Sequence, residues 1–96
     1  MKQPVVYILT NHNETTLYID VTSNIQKRLY EHKSNAVAGF SSKYNLSKLV
    51  YFKQFDAMED AILYEKYLKG KKRDFKVDLI KSMNPDWEDL SVKYEL

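Results

Sequence analysis

Two tyrosines, an arginine, a histidine and a glutamate are the residues of this chain whose types and spacing could do chemistry. Tyr7 and Tyr18 are separated by ten residues, Arg28 and His32 follow at helical spacing, and Glu65 lies in a later amphipathic stretch. Arginine presents a planar fork that grips a phosphate. A single carboxylate, with phosphate oxygens and waters, suffices for Mg²⁺, which dehydrates reluctantly and keeps several waters. Such a cation polarises a phosphoryl oxygen and neutralises charge on the leaving oxygen. A phenol is a poor base at its usual pKa of about 10. It becomes useful where neighbouring cations or a metal-bound water favour the ionised form. Together these side chains are the parts of a phosphodiester-cleaving site.

The elements that must position them begin with a hairpin. Val5-Val6-Tyr7-Ile8-Leu9 and Thr16-Leu17-Tyr18-Ile19-Asp20-Val21 are β-rich runs around the polar turn Asn11-His12-Asn13-Glu14. Symmetric pairing about that turn sets Tyr7 opposite Tyr18, Val5 opposite Asp20 and Leu9 opposite Thr16. Side chains alternate faces, so Val6, Ile8, Leu17, Ile19 and Val21 form an apolar core face. The other face presents two phenols and the Asp20 carboxylate.

Thr22-Ser23-Asn24 supplies cap groups for a helix over residues 25–33. Ile25 and Leu29 form its apolar stripe, and Arg28 and His32 fall beside that stripe. An inward arginine is expensive to bury without an anionic partner. The commonplace alternative is a stem laid over the core edge, with its head reaching Glu31 or Asp20. Residues 34–47 lack periodicity and are expected to form a long, functional loop. A third strand over 49–55 follows.

A capping-box-like start at Asp56, with Glu59 three residues on, opens a helix that stops at Gly70. Its stripe is Ala57, Ala61, Tyr64 and Leu68, widened by Met58 and Ile62. Glu65 falls inside that arc, where a carboxylate is either paired or holding a cation. The ordinary partner is Lys69, one turn on and in the favourable order. Residues 73–83 form a further helix that ends at Asn84, ahead of Pro85. Trp87 and Leu90 are expected to pin the tail, and residues 91–96 to fray.

Ninety-six residues make one domain, 1–96, with a single modest core. The absence of cysteine removes disulfides and thiolate metal sites, and two histidines make structural zinc a poor fit. No run approaches the ~18 apolar residues of a membrane span, and the N-terminus lacks the apolar stretch of a signal peptide. The expected setting is cytoplasmic, with no membrane partner and no obligate small-molecule cofactor. The net charge of +2 is mild, but Lys66, Lys69, Lys71, Lys72, Arg73 and Lys76 crowd into eleven positions. They form a candidate nucleic-acid contact, although cations also favour helix C-termini without any ligand.

The run Val5-Val6-Tyr7, then ten residues, then Tyr18-Ile19-Asp20 resembles the paired signature of the GIY-YIG nucleases. The order continues with the Arg of Arg28-Leu29-Tyr30-Glu31-His32, the Glu of Tyr64-Glu65-Lys66-Tyr67-Leu68-Lys69 and a late Asn. Lys43-Tyr44-Asn45, Leu49-Val50-Tyr51-Phe52 and Met83-Asn84-Pro85 resemble the small stand-alone bacterial branch, which is similar to the N-terminal domain of the excinuclease C subunit. The likeness spans roughly residues 4–90. It implies an α+β fold, a three-stranded antiparallel sheet flanked by three or more helices. It also implies a DNA endonuclease, in a DNA-repair setting, that hydrolyses phosphodiesters with one Mg²⁺ or Mn²⁺.

By the same resemblance, Tyr7 is the general base or water-positioning group, and Tyr18 binds the phosphate or orders the nucleophile. Arg28 stabilises the pentacovalent phosphorus, His32 supports the nucleophile or the phosphate, and Glu65 is the sole protein metal ligand. Asn84 takes the late-Asn place, with Asn45 as a rival.

The chain departs from the signature where Asp20 replaces the closing glycine and Val5 the opening one. A β-carbon there narrows the space for a close-approaching ligand. Asp20 also sets a negative charge beside a phosphate site, where it either pairs with Arg28 and disarms it or serves as an extra metal ligand. The alternative function is therefore a nucleic-acid-binding module that keeps the fold and has lost turnover, its lysines tracking phosphates. A third reading, a protein-interaction domain, leaves the tyrosines as ordinary sheet aromatics.

Overall fold

The two apolar runs of the N-terminus pair with a third to form one antiparallel sheet of order β2-β1-β3. The strands are β1 (Val5–Thr10), β2 (Leu17–Thr22) and β3 (Lys48–Gln54). A computed structural model describes residues 3–34 and 46–96. Among them are four helices: α1 (Ile25–Ser34), α2 (Met58–Lys69), α3 (Arg73–Met83) and α4 (Leu90–Lys93). The architecture is the expected α+β arrangement. Most of the expected loop over 34–47, and with it Asn45, lies outside the described residues.

Every residue of β1 is buried, because it is the middle strand and both faces of the sheet are covered. Val5, Tyr7 and Leu9 pack with Ile25 and Leu29 of α1, Leu46, Leu49 and Leu90 of α4. Val6 and Ile8 pack on the other side with Ile19, Val50, Tyr51, Ala61 and Leu68 of α2, and Ile80 of α3. The tyrosine face is thus a second core, and not a polar face as the alternation suggests. The unbroken apolar run of β1 carries that information, since strands covered on both sides do not alternate. An irregularity in the β1–β3 pairing between Ile8 and Leu9 lets Val50 and Tyr51 join the same core.

The hairpin register differs from the symmetric expectation by two residues. Tyr7 pairs with Asp20, Leu9 with Tyr18 and Val5 with Thr22. The turn takes in Thr15 and Thr16 because the Asn11 side chain closes it. Asn11 Oδ1 accepts the Thr15 and Thr16 N–H groups at 2.9 and 3.1 Å, and Thr10 Oγ1 donates to the Thr16 carbonyl at 2.7 Å. Glu14 completes the reversal with φ 58°. A shift of two preserves the faces, so the phenols and Asp20 stay on one side.

Asn24 caps α1 as expected, its Oδ1 accepting the Lys27 N–H at 3.2 Å. The capping box at Asp56 does not form. Ala57 is the residue before α2 and carries no side-chain cap, while Glu59 and Asp60 still place negative charge in the first turn. At the C-terminus a short helix and backbone hydrogen bonds run through the stretch expected to fray. Asp89 caps α4, and Leu96 packs on the core and donates its N–H to the Ser91 carbonyl at 2.9 Å. Among the described residues, no helix is long and apolar enough to cross a membrane.

Asn84 locks the end of α3 to the sheet. Its amide donates to the carbonyls of Val50 (3.2 Å) and Glu88 (2.8 Å), and its Oδ1 accepts the Glu88 N–H at 2.9 Å. Removing that amide leaves buried carbonyls unmatched, a loss of roughly 2–3 kcal/mol. Asn84→Ala should therefore lower the thermal midpoint by about 10–20 °C, read by circular dichroism. An unchanged midpoint would show that these bonds carry no weight.

Candidate active site

Tyr7 is fully buried on the middle strand, so its ring is fixed by packing and its hydroxyl must find partners among its neighbours. Arg28 and His32, one turn apart on α1, stand over it. Arg28 Nε donates to Tyr7 Oη at 3.3 Å, and His32 Nε2 lies 3.0 Å from the same oxygen. The His32 ring meets both Tyr7 and Tyr18 edge-on, at 6.0 and 5.8 Å between centroids.

Asp20, directly across the ladder from Tyr7, completes the group. Its Oδ2 accepts Arg28 Nη2 at 2.7 Å, Tyr18 Oη at 3.0 Å and Tyr7 Oη at 3.4 Å. Its Oδ1 accepts the Val21 N–H at 2.8 Å. One carboxylate oxygen thus gathers contacts from a guanidinium and two phenols. The Arg28–Asp20 pair is single-pronged, and the guanidinium remains about one-third exposed. Arg28 also lines a cavity of about 650 Å³ with Thr22, Ser23, Asn24, Lys27 and Glu31.

These contacts set the protonation states. Burial raises the Tyr7 phenol far above its ordinary value, and the Asp20 charge adds to this against the opposing pull of Arg28. Tyr18 is raised by burial and by the Asp20 charge. Burial alone would raise the Asp20 carboxyl, but hydrogen bonds from Arg28, Val21 and Tyr18 outweigh it and hold the group below its usual range. Hydrogen bonds to Asp20 and Tyr7 raise Arg28 further. Burial and the Arg28 charge lower His32 from its ordinary value, which favours the neutral ring. The single Tyr7 proton serves either Asp20 Oδ2 or, when the His32 ring carries its own proton on Nδ1, His32 Nε2.

Glu65 arrives from the other side. It points inward from α2 in line with Ala61 and Leu68 and is 9% exposed. Its Oε2 lies 3.1 Å from Lys69 Nζ, the ion pair expected from their spacing. α2 packs chiefly on β2 and β1, and Lys69 shares a groove of about 290 Å³ with Leu17, Tyr18, Ile19 and Lys76. α2 covers the Val6 and Ile8 face of the sheet, opposite to the face on which Tyr7 packs with α1, and its Lys69 reaches the edge strand β2. Asn84 is engaged with Val50 and Glu88, as above, and has no hydrogen bond to the cluster.

The basic run divides by task. Arg73 donates to the turn carbonyls of Glu14 and Thr15 at 2.7 and 3.1 Å. Lys71 Nζ sits over the rings of Tyr67 and Phe75 at 4.6 and 5.3 Å from their centroids. Lys66 and Lys72 are exposed. Sequence reasoning missed the hydroxyl pair of Tyr51 and Tyr64, 3.0 Å apart, and the place of Lys27 beside Arg28. The only prior signal for Lys27 is its adjacency to Arg28.

The Asp20 carboxyl lies below its ordinary value of 3.8 in the fold. Ionised Asp20 therefore stabilises the folded state at all higher pH, and that gain is lost as pH falls through the lower folded value. Wild type should exceed Asp20→Asn by roughly 1–2 kcal/mol at neutral pH, discounted for the part-exposed guanidinium. Thermal melts should converge on acidification below 3.8. A gap that persists undiminished in acid would show that Asp20 acts through shape alone.

Comparison with known proteins agrees with the geometry. The GIY-YIG catalytic domain family matches residues 3–78. A UPF0213 protein of Syntrophus aciditrophicus (strain SB) is 37% identical over 90 residues, covering 90% of this chain and 98% of its own. A UPF0213 protein of Clostridium perfringens (strain 13 / Type A) is 36% identical over 77 residues, covering 80% and 82%. The solution NMR structure of a UPF0213 protein from Bacillus halodurans superposes with a TM-score of 0.59, covering 93% of this chain and 94% of that one. At 24% identity, that likeness is one of fold. The family match over residues 3–78 and the identity to these relatives place this chain in the GIY-YIG family, among its small stand-alone UPF0213 members.

Proposed function

We propose that the protein is a metal-dependent DNA endonuclease that hydrolyses phosphodiester bonds at the Tyr7–Tyr18–Arg28–His32 cluster. The observation that carries this reading is the convergence of Arg28 Nε and His32 Nε2 on one buried phenol, at 3.3 and 3.0 Å. Arg28 would exchange its Asp20 contact for an oxygen of the scissile phosphate, where a guanidinium is most effective. Tyr18 would donate to the same phosphate. Tyr7 is a neutral phenol, so it would orient the attacking water. As it took the proton of that water it would pass its own to Nε2 of neutral His32.

Glu65 would hold the divalent cation, Mg²⁺ or Mn²⁺. Among the described residues no three His, Cys, Asp or Glu side chains cluster, so the donor set is one carboxylate completed by water and phosphate. That set suits Mg²⁺, and the cation would have to displace the Lys69 ammonium that pairs with Glu65. When bound, the metal would polarise the phosphoryl oxygen and neutralise charge on the leaving oxygen.

A specific observation favours a second reading, a DNA-binding module without turnover. Asp20 Oδ2 draws Arg28, Tyr18 and Tyr7 to itself. Incubating supercoiled plasmid with the protein and Mg²⁺ or Mn²⁺ separates the two. Under the first reading wild type nicks the plasmid, Glu65→Ala abolishes nicking and Arg28→Ala reduces the rate by about 10²–10³-fold. Under the second, wild type binds without cutting and Asp20→Gly restores cutting. An inert Asp20→Gly protein that still binds DNA would remove hydrolysis from both accounts.

A further inference from the structure

The proposed hydrolysis requires a route by which a DNA strand reaches a cluster built on a buried phenol. β2 is an edge strand, and the groove along it is lined by Leu17, Tyr18, Ile19, Lys69 and Lys76. Tyr18 links the two places: it is among the residues of β2 that line the groove, and its hydroxyl lies in the cluster. Lys76 is half-buried there and, among the described residues, belongs to no ion pair. A partly desolvated ammonium without a counter-ion favours an anion.

Lys66 and Lys72 of the run are exposed, and three others are already engaged. Arg73 binds turn carbonyls, Lys71 covers two rings, and Lys69 balances Glu65. Beyond the cluster, Thr22 at the far end of β2 lines the cavity that holds Arg28 and Lys27. Cations therefore flank the cluster along the length of one edge strand. That is a linear arrangement suited to a phosphodiester backbone.

We propose that the substrate strand crosses the outer edge of β2, with Lys76 gripping its phosphate backbone beside Tyr18. This inference rests on DNA being the substrate of the proposed function. It assigns the contact to a residue of the groove and takes it away from Arg73 and Lys71, which hold the fold.

The test is binding of a fluorescein-labelled forked DNA, with single- and double-stranded arms, followed by anisotropy over a salt series in EDTA. Lys76→Gln should weaken binding several-fold and reduce the slope of log affinity against log salt by about one. Lys76→Arg should restore both, and Arg73→Gln should lower the melting temperature while keeping the wild-type slope. A wild-type slope in Lys76→Gln would overturn the proposal, as would an equal loss of slope in folded Arg73→Gln. The result separates from that of hydrolysis because no metal is present. An uncut plasmid with a Lys76-dependent slope sinks hydrolysis and keeps the track. Nicking with a Lys76-independent slope keeps hydrolysis and sinks the track.

Discussion

Burial of β1 on both faces is the constraint from which the site follows. A middle strand covered on either side leaves no water to satisfy a polar side chain, and Tyr7 carries the phenol of that strand. An unmatched hydroxyl there would cost a few kcal/mol, so the surrounding elements must supply its partners. Arg28 and His32 from α1 and Asp20 from β2 do so. Groups that crowd one dry oxygen hold one another at fixed distances and shifted proton affinities. The chemistry of the cluster is thus a by-product of how the sheet is covered.

Much of this was legible in the sequence, and the failures have physical causes. The strands, α1 and α3 followed from periodicity, and Arg28, His32 and Glu65 fell on inward arcs that the structure preserves. The hairpin register did not follow, because counting from the polar run assumes a turn made by the backbone alone. Here a side chain, Asn11, recruits Thr15 and Thr16 into the loop. The second core was hidden because the phenols on that face mimic polar alternation. The division of labour among the basic residues could not be read at all, since Arg73 meets turn carbonyls 58 and 59 positions away in the chain.

The two inward carboxylates share a design. Each is balanced by one cation of its own neighbourhood: Asp20 by Arg28 across the hairpin and α1, Glu65 by Lys69 within α2. In this state each pair is charge-neutral. On the proposed function, a phosphate at Arg28 would compete with the Asp20 carboxylate and a divalent cation at Glu65 with the Lys69 ammonium.

The Asn11 clamp also makes loop length a ruler for the whole hairpin. With six residues between β1 and β2, Tyr18 and Asp20 come out on the side that α1 covers. Losing or gaining a single residue in that loop, with pairing otherwise kept, would turn Leu17, Ile19 and Val21 toward α1. The carboxylate would then enter the apolar layer beneath α2. This segment of the surface is consequently as intolerant of indels as the strands it joins.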